Sequence, residues 1–205
     1  THALSMWPLV EDSDVDIVID GFGEFDIAWS VFKKDQLIAT GSRDKLGSIG
    51  QLMGAVGANL FGLGNTCHSL DVAGKLMGLQ SYGVYDHKFA QKIMPYTINE
   101  AIKIFDFNLW VEHCNDITVA ELTKLNWIKT IHEITGDKLV EFFKTFADTD
   151  DVITYSGGVA QNVIWNTKLK KHFKNLVIPP HCIDDGLSLG GIEWLRRKHN
   201  LPRFT

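Results

Sequence analysis

Two glycine-and-acid stretches carry residue types suited to chemistry on a nucleotide. Asp20-Gly21-Phe22-Gly23-Glu24 and Ser156-Gly157-Gly158-Val159-Ala160-Gln161-Asn162 follow apolar runs over 16–19 and 152–155, and Asp184-Asp185-Gly186 lies downstream. A strand ending in a glycine turn brings backbone N–H groups against phosphates. Glycine suits such a turn because it tolerates positive φ and lets the main chain approach a ligand without a Cβ clash. Carboxylates beside the turns add oxygen ligands for a divalent ion. Together the stretches point to a nucleotide and metal site.

The elements that must position them read as α/β. Alternation and β-branched content predict strands over 15–20, 25–33 and 36–40, with Lys34-Asp35 as a tight hairpin turn. Small and apolar residues over 48–61 predict a closely packed helix, and 71–79 a short one holding Gly74-Lys75-Leu76-Met77-Gly78-Leu79, before a loop at Tyr82-Gly83 and Asp86. The stretch 87–149 has helical period, with Thr118 as an N-cap before Glu121, and reads as a helical insertion. A strand over 152–155, a glycine turn, a helix over 162–173, a strand over 176–178 stopped by Pro179-Pro180, and a helix over 185–199 complete the chain, with 202–204 as a tail. This order resembles one half of the duplicated ATPase fold shared by actin and sugar kinases. The resemblance puts Asp20-Gly21 at the second phosphate loop and Gly157-Gly158 at the adenosine loop.

Composition narrows the partners. The 205 residues are 45% hydrophobic and 22% charged, which suits one domain or closely joined lobes. A net charge of −5, with no basic stripe interleaved with aromatics, disfavours nucleic acid. Cys67, Cys114 and Cys182 form no C-x-x-C, which argues against a disulfide framework or zinc knuckle and for a reducing compartment. With no apolar run of about 18 residues and no signal-like start, neither a membrane span nor secretion is expected, and a cytoplasmic location is. The opening at Thr1, without methionine, reads as a piece of a longer protein.

Gly47-Ser48-Ile49-Gly50, the 74–79 stretch with Tyr82-Gly83, Gly157-Gly158-Val159-Ala160-Gln161-Asn162, and Asp184-Asp185-Gly186-Leu187-Ser188-Leu189-Gly190 narrow the reading further. Together they resemble the O-carbamoyltransferases of nodulation-factor and antibiotic biosynthesis, whose catalytic domain is similar to the tRNA threonylcarbamoyl-transferring protein. The resemblance spans nearly the whole chain. It implies binding of ATP or carbamoyl adenylate, and an Fe(II)-type divalent ion that polarises the carbamoyl oxygen and orients the adenylate. It also implies transfer of the carbamoyl group, derived from carbamoyl phosphate, to an acceptor hydroxyl.

By that resemblance His2, which precedes Ala3, matches the last histidine of a His-x-x-x-His-Ala stretch, so that His2, Asp20 and Asp184 are the candidate metal ligands. Asp184 and Asp185 are the candidate catalytic residues. Asp20, Gly21, Gly23, Lys75, Gly157, Gly158 and Asn162 are the candidate nucleotide contacts. The family's upstream half, with the first histidine, and its downstream adenylate-making lobe have no counterpart in the 205 residues, which implies a separate adenylate-forming chain. Plainer roles stay open: helix capping for Asp184, Asp185 and Asn162, a structural or solvated lysine at Lys75, fraying at His2, and core packing for Trp110, Trp127, Trp165 and Trp194. The other histidines show no ligand-like spacing. A non-catalytic assembly module that pairs with itself or another chain is a rival reading, and a small-molecule kinase of the same fold another.

Overall fold

The computed structural model describes residues 1–7, 9–10, 12–42, 48–63, 71–93 and 121–202. Gly47, Cys67, His68, Trp110, His113, Cys114, Thr118, Arg203 and Phe204 lie outside the described residues. The chain divides into two compact units, one formed by 1–20, 29–40 and 143–205 and the other by 21–28 and 41–142.

The first unit holds, apart from residues 27–28 and 41–42, a sheet whose described strands run in the order β3-β2-β1-β4-β5. These are β1 Val15–Ile19, β2 Ile27–Lys33, β3 Gln36–Ser42, β4 Ile153–Ser156 and β5 Leu176–Val177. β1 is antiparallel to β2 and parallel to β4, with Ile17 opposite both Val31 and Tyr155. A strand in this central place has both faces covered, which fits the burial of every residue of β4 and of all but Val18 in β1. Ile17, Ile153 and Tyr155 are wholly buried. Phe143 meets Tyr155 edge-on at 5.1 Å and lies 5.7 Å from Phe173. Lys34 and Asp35 have φ of 48° and 64°, the two left-handed positions of a two-residue hairpin turn.

In the second unit, α1 (Ile49–Phe61) is capped by Ser48, whose hydroxyl accepts from Gln51 N at 3.3 Å, and stops at Gly62 with φ 60°. A Cβ on Gly57 would stand 2.0 Å from Val72 Cγ1, so the small residues of α1 admit α2 (Val72–Leu79) at close range. α3 (His87–Ile93) starts under an Asp86 carboxylate that accepts from Lys88 N and Phe89 N, and α4 (Glu121–Phe146) runs 26 residues, its end from Phe143 belonging to the first unit. After β4 come α5 (Val163–Lys170) and α6 (Leu187–Lys198), both in the first unit. No helix of the described residues is long and apolar enough to cross a membrane.

Two expectations are corrected. Phe25 and Asp26 do not begin β2: they adopt φ of 57° and 58° in a short 3-10 turn, Glu24–Asp26, and Phe25 is 88% exposed. Trp194 is not core but half exposed on α6, its ring under the Lys198 ammonium at 4.6 Å. Trp165 is buried as expected, and Trp127 stacks on Phe89.

Candidate metal centre

Two parallel strands end side by side and deliver the second glycine stretch to Asp20. Val18 pairs with Ser156, so the chain leaving β4 passes the end of β1. Gly157 has φ 92°, and a Cβ there would stand 2.3 Å from Ile19 O; its N–H donates to Cys182 O at 2.7 Å. A Cβ on Gly158 would lie 2.9 Å from Asp20 Oδ1. Both glycines are demanded by close approach, and Gly157 by its dihedral as well. The first stretch differs. Gly23 is extended, with φ −121°, and donates to Ile27 O at 2.8 Å, while Gly21 has no atom within 4 Å of an added Cβ. Positive φ is not what glycine supplies at Gly21 or Gly23; in that stretch Phe25 and Asp26 carry it.

His2 precedes a 3-10 turn, Ala3–Met6, closed by Ser5, whose N–H donates to Thr1 O at 3.1 Å and whose hydroxyl donates to His2 O at 2.7 Å. A Cβ on Gly190 would stand 2.0 Å from Thr1 O, so α6 admits this segment only through that glycine. Asp184 opens the 3-10 turn Asp184–Gly186 ahead of α6. The cap positions there are Ile183 and Gly186, and neither makes a side-chain capping bond. Capping therefore does not account for Asp184 or Asp185.

Three chain segments thus converge. His2 Nε2 lies 3.3 Å from Asp20 Oδ2 and 3.4 Å from Asp184 Oδ1, and one donor atom from each residue falls within 4.8 Å of the others. The side chains are graded in exposure, His2 at 15%, Asp20 at 30% and Asp184 at 83%. Ligand atoms about 2.1 Å from an octahedral ion stand about 3 Å apart when adjacent, which these separations approach. His2 Nδ1 is buried without a hydrogen-bond partner, so the ring's polar contacts all run through Nε2. One imidazole nitrogen and two carboxylates fit a hard to borderline divalent ion.

The remaining candidates sit apart from this cluster. Asp185 is exposed next to Asp184 in sequence and is not among the convergent donors. Asn162 caps α5, its Oδ1 accepting from Ile164 N at 3.2 Å and Trp165 N at 3.1 Å. Lys75, in the second unit, is half exposed and pairs with Asp71 one turn back on its own helix. Burial, then the neighbouring Cys182 and Asp20, holds the Tyr155 hydroxyl well above the usual tyrosine range, so it stays protonated. Burial likewise raises the Cys182 thiol, which keeps it from acting as a thiolate. A cavity of about 340 Å³ lies at the other end of β1, lined by Asp14, Asp16, Lys34 and Arg197 among others, and contains none of the three convergent ligands. Ser5 escapes sequence reasoning, since a lone serine three residues after a histidine carries no motif.

The chain is similar in structure to an activator of the 2-hydroxyisocaproyl-CoA dehydratase from Clostridium difficile, solved with bound ADPNP. The TM-score is 0.58 at 13% identity, covering 100% of this chain and 69% of that one. The likeness shows the α/β fold of the actin-like ATPases. No curated protein matches the sequence. The family model described as carbamoyltransferase N-terminus matches residues 2–192. A match of that extent means that the chain belongs to the carbamoyltransferase N-terminal family.

Proposed function

We propose that the chain is the metal- and adenylate-binding domain of an O-carbamoyltransferase, passing a carbamoyl group from carbamoyl adenylate to a hydroxyl of a small molecule or sugar. The convergence of His2, Asp20 and Asp184 beside the Gly157-Gly158 turn carries this reading. The ADPNP held by the structural relative supports the nucleotide part.

In this reading His2 Nε2, Asp20 Oδ2 and Asp184 Oδ1 hold a divalent ion of the Fe(II) kind. Once bound, the ion supplies Lewis-acid polarisation of the carbamoyl oxygen and a template for the adenylate. The Gly157-Gly158 turn, packed against Ile19 and Asp20, offers its backbone to the adenosine. In the same reading, exposed Asp185 hydrogen-bonds the ribose or acts near the acceptor hydroxyl. A second reading, an assembly module, draws on Ile192, Trp194 and Leu195, all more than 40% exposed on α6.

Titration of ADP into the purified chain by calorimetry, anaerobically and with or without Fe(II), separates them. Binding that requires the ion supports the proposal. No heat under either condition, with a mass that grows with concentration, supports assembly instead.

A further inference from the structure

We infer that His181 is a positioning residue for the metal centre: its ring fastens the segment carrying His2 to the loop carrying Asp184. The inference rests on the metal reading above. His181 Nε2 lies 3.0 Å from Ser5 O. A carbonyl oxygen only accepts, so Nε2 carries the proton and donates. Ser5 is fully buried, and its hydroxyl donates to His2 O at 2.7 Å. The path from His181 to the His2 main chain therefore runs through one residue and two hydrogen bonds.

The glycine of the Asp184-Asp185-Gly186 stretch gains a purpose from this arrangement. A Cβ on Gly186 would stand 2.2 Å from His181 O and 3.0 Å from its ring Cδ2. Only a glycine lets the loop fold back so that its ring reaches Ser5. The same loop is stitched to the site again at Cys182, whose carbonyl accepts from Gly157 N.

The need for such a tether follows from how the ligands are carried. Asp20 follows directly on β1 and lies against Gly158. His2 opens a four-residue 3-10 turn, a short element of little intrinsic stability. Asp184 stands on a three-residue turn. The His181–Ser5 bond ties the first of these turns to the loop just ahead of the second and so holds His2 near Asp184.

The test compares Mn(II) affinity, read by the loss of the free-ion electron paramagnetic resonance signal, in the unsubstituted chain, His181→Leu and His181→Gln. Glutamine places an amide N–H near the position of Nε2. The expected result is about a 10- to 100-fold weaker Kd in H181L, the range for losing a residue that orients a ligand. Recovery to within about threefold is expected in H181Q, with similar far-UV circular dichroism in all three. Equal affinity in H181L, or H181Q as weak as H181L, would overturn the tether while leaving the metal reading intact. Absence of Mn(II) binding by the unsubstituted chain overturns the metal reading and this role with it. Gly186→Ala, which removes the space for the His181 loop, is expected to match H181L, and wild-type affinity in that variant counts against the inference.

Discussion

At Asp184 the carboxylate is largely exposed and caps no helix, so its removal should leave the fold intact. Asp184→Ala is expected to lower divalent-ion affinity at least about tenfold while shifting stability by less than about 0.5 kcal/mol, as compared by metal titration and thermal melting. Gly158→Ala should act through Asp20, because its methyl would press on Oδ1 from 2.9 Å. Weaker metal binding with a small change in melting is the expected outcome. Gly157→Ala should instead cost about 1–3 kcal/mol or more by denaturant titration, since it combines φ 92° with a backbone collision. The grouping of His2, Asp20 and Asp184 was legible in sequence only through a family resemblance, since the three lie far apart along the chain and no local spacing joins them. Lys75 shows the reverse: its motif stood out, yet the side chain is engaged by Asp71 on its own helix.

Among the elements, α6 carries two neighbouring glycines of which only one is required by packing. Gly190 accepts the Thr1 carbonyl against its bare Cα, whereas an added Cβ on Gly191 meets nothing within 4 Å. Gly190→Ala is therefore expected to push away the segment bearing His2 and weaken metal binding. Gly191→Ala should leave binding unchanged and stabilise the chain by up to about 1 kcal/mol through helix propensity. Equal metal affinity in the two variants, measured side by side, would contradict the packing account. Most element positions were legible because periodicity and caps are local: Ser48, Asn162 and the Lys34-Asp35 turn all serve as their residue types suggest. Phe25 and Asp26 were misread because aromatic and apolar neighbours imitate a strand, while the chain there turns through left-handed backbone. Trp194 was misread because helical period marks a face without saying whether anything covers it.

The sheet order, two parallel pairings beside an antiparallel hairpin, brings distant segments to one end of β1 and leaves acid sensitivity at the other. There Glu193 on α6 is buried and bonded by Arg196 and Arg197, and Arg197 also reaches Asp35 in the β2–β3 turn. The Arg196 hydrogen bonds, with Arg197, hold the Glu193 carboxyl down to about 2 against an ordinary 4.5. A depressed carboxylate contributes stability that is complete above its unfolded value and fades as pH falls toward its folded one. Melting temperature should thus decline between about pH 4.5 and about pH 2, and Glu193→Gln, already less stable at pH 7, should show a flatter decline over that window. The claim on which the whole account depends is that one ion joins three segments of this fold. Mn(II) titration of the unsubstituted chain, Asp20→Asn and Asp184→Asn by electron paramagnetic resonance tests it most directly. The account predicts one ion per chain and at least about tenfold weaker binding in each variant without loss of fold. No binding by the unsubstituted chain, or equal binding in all three, would contradict it.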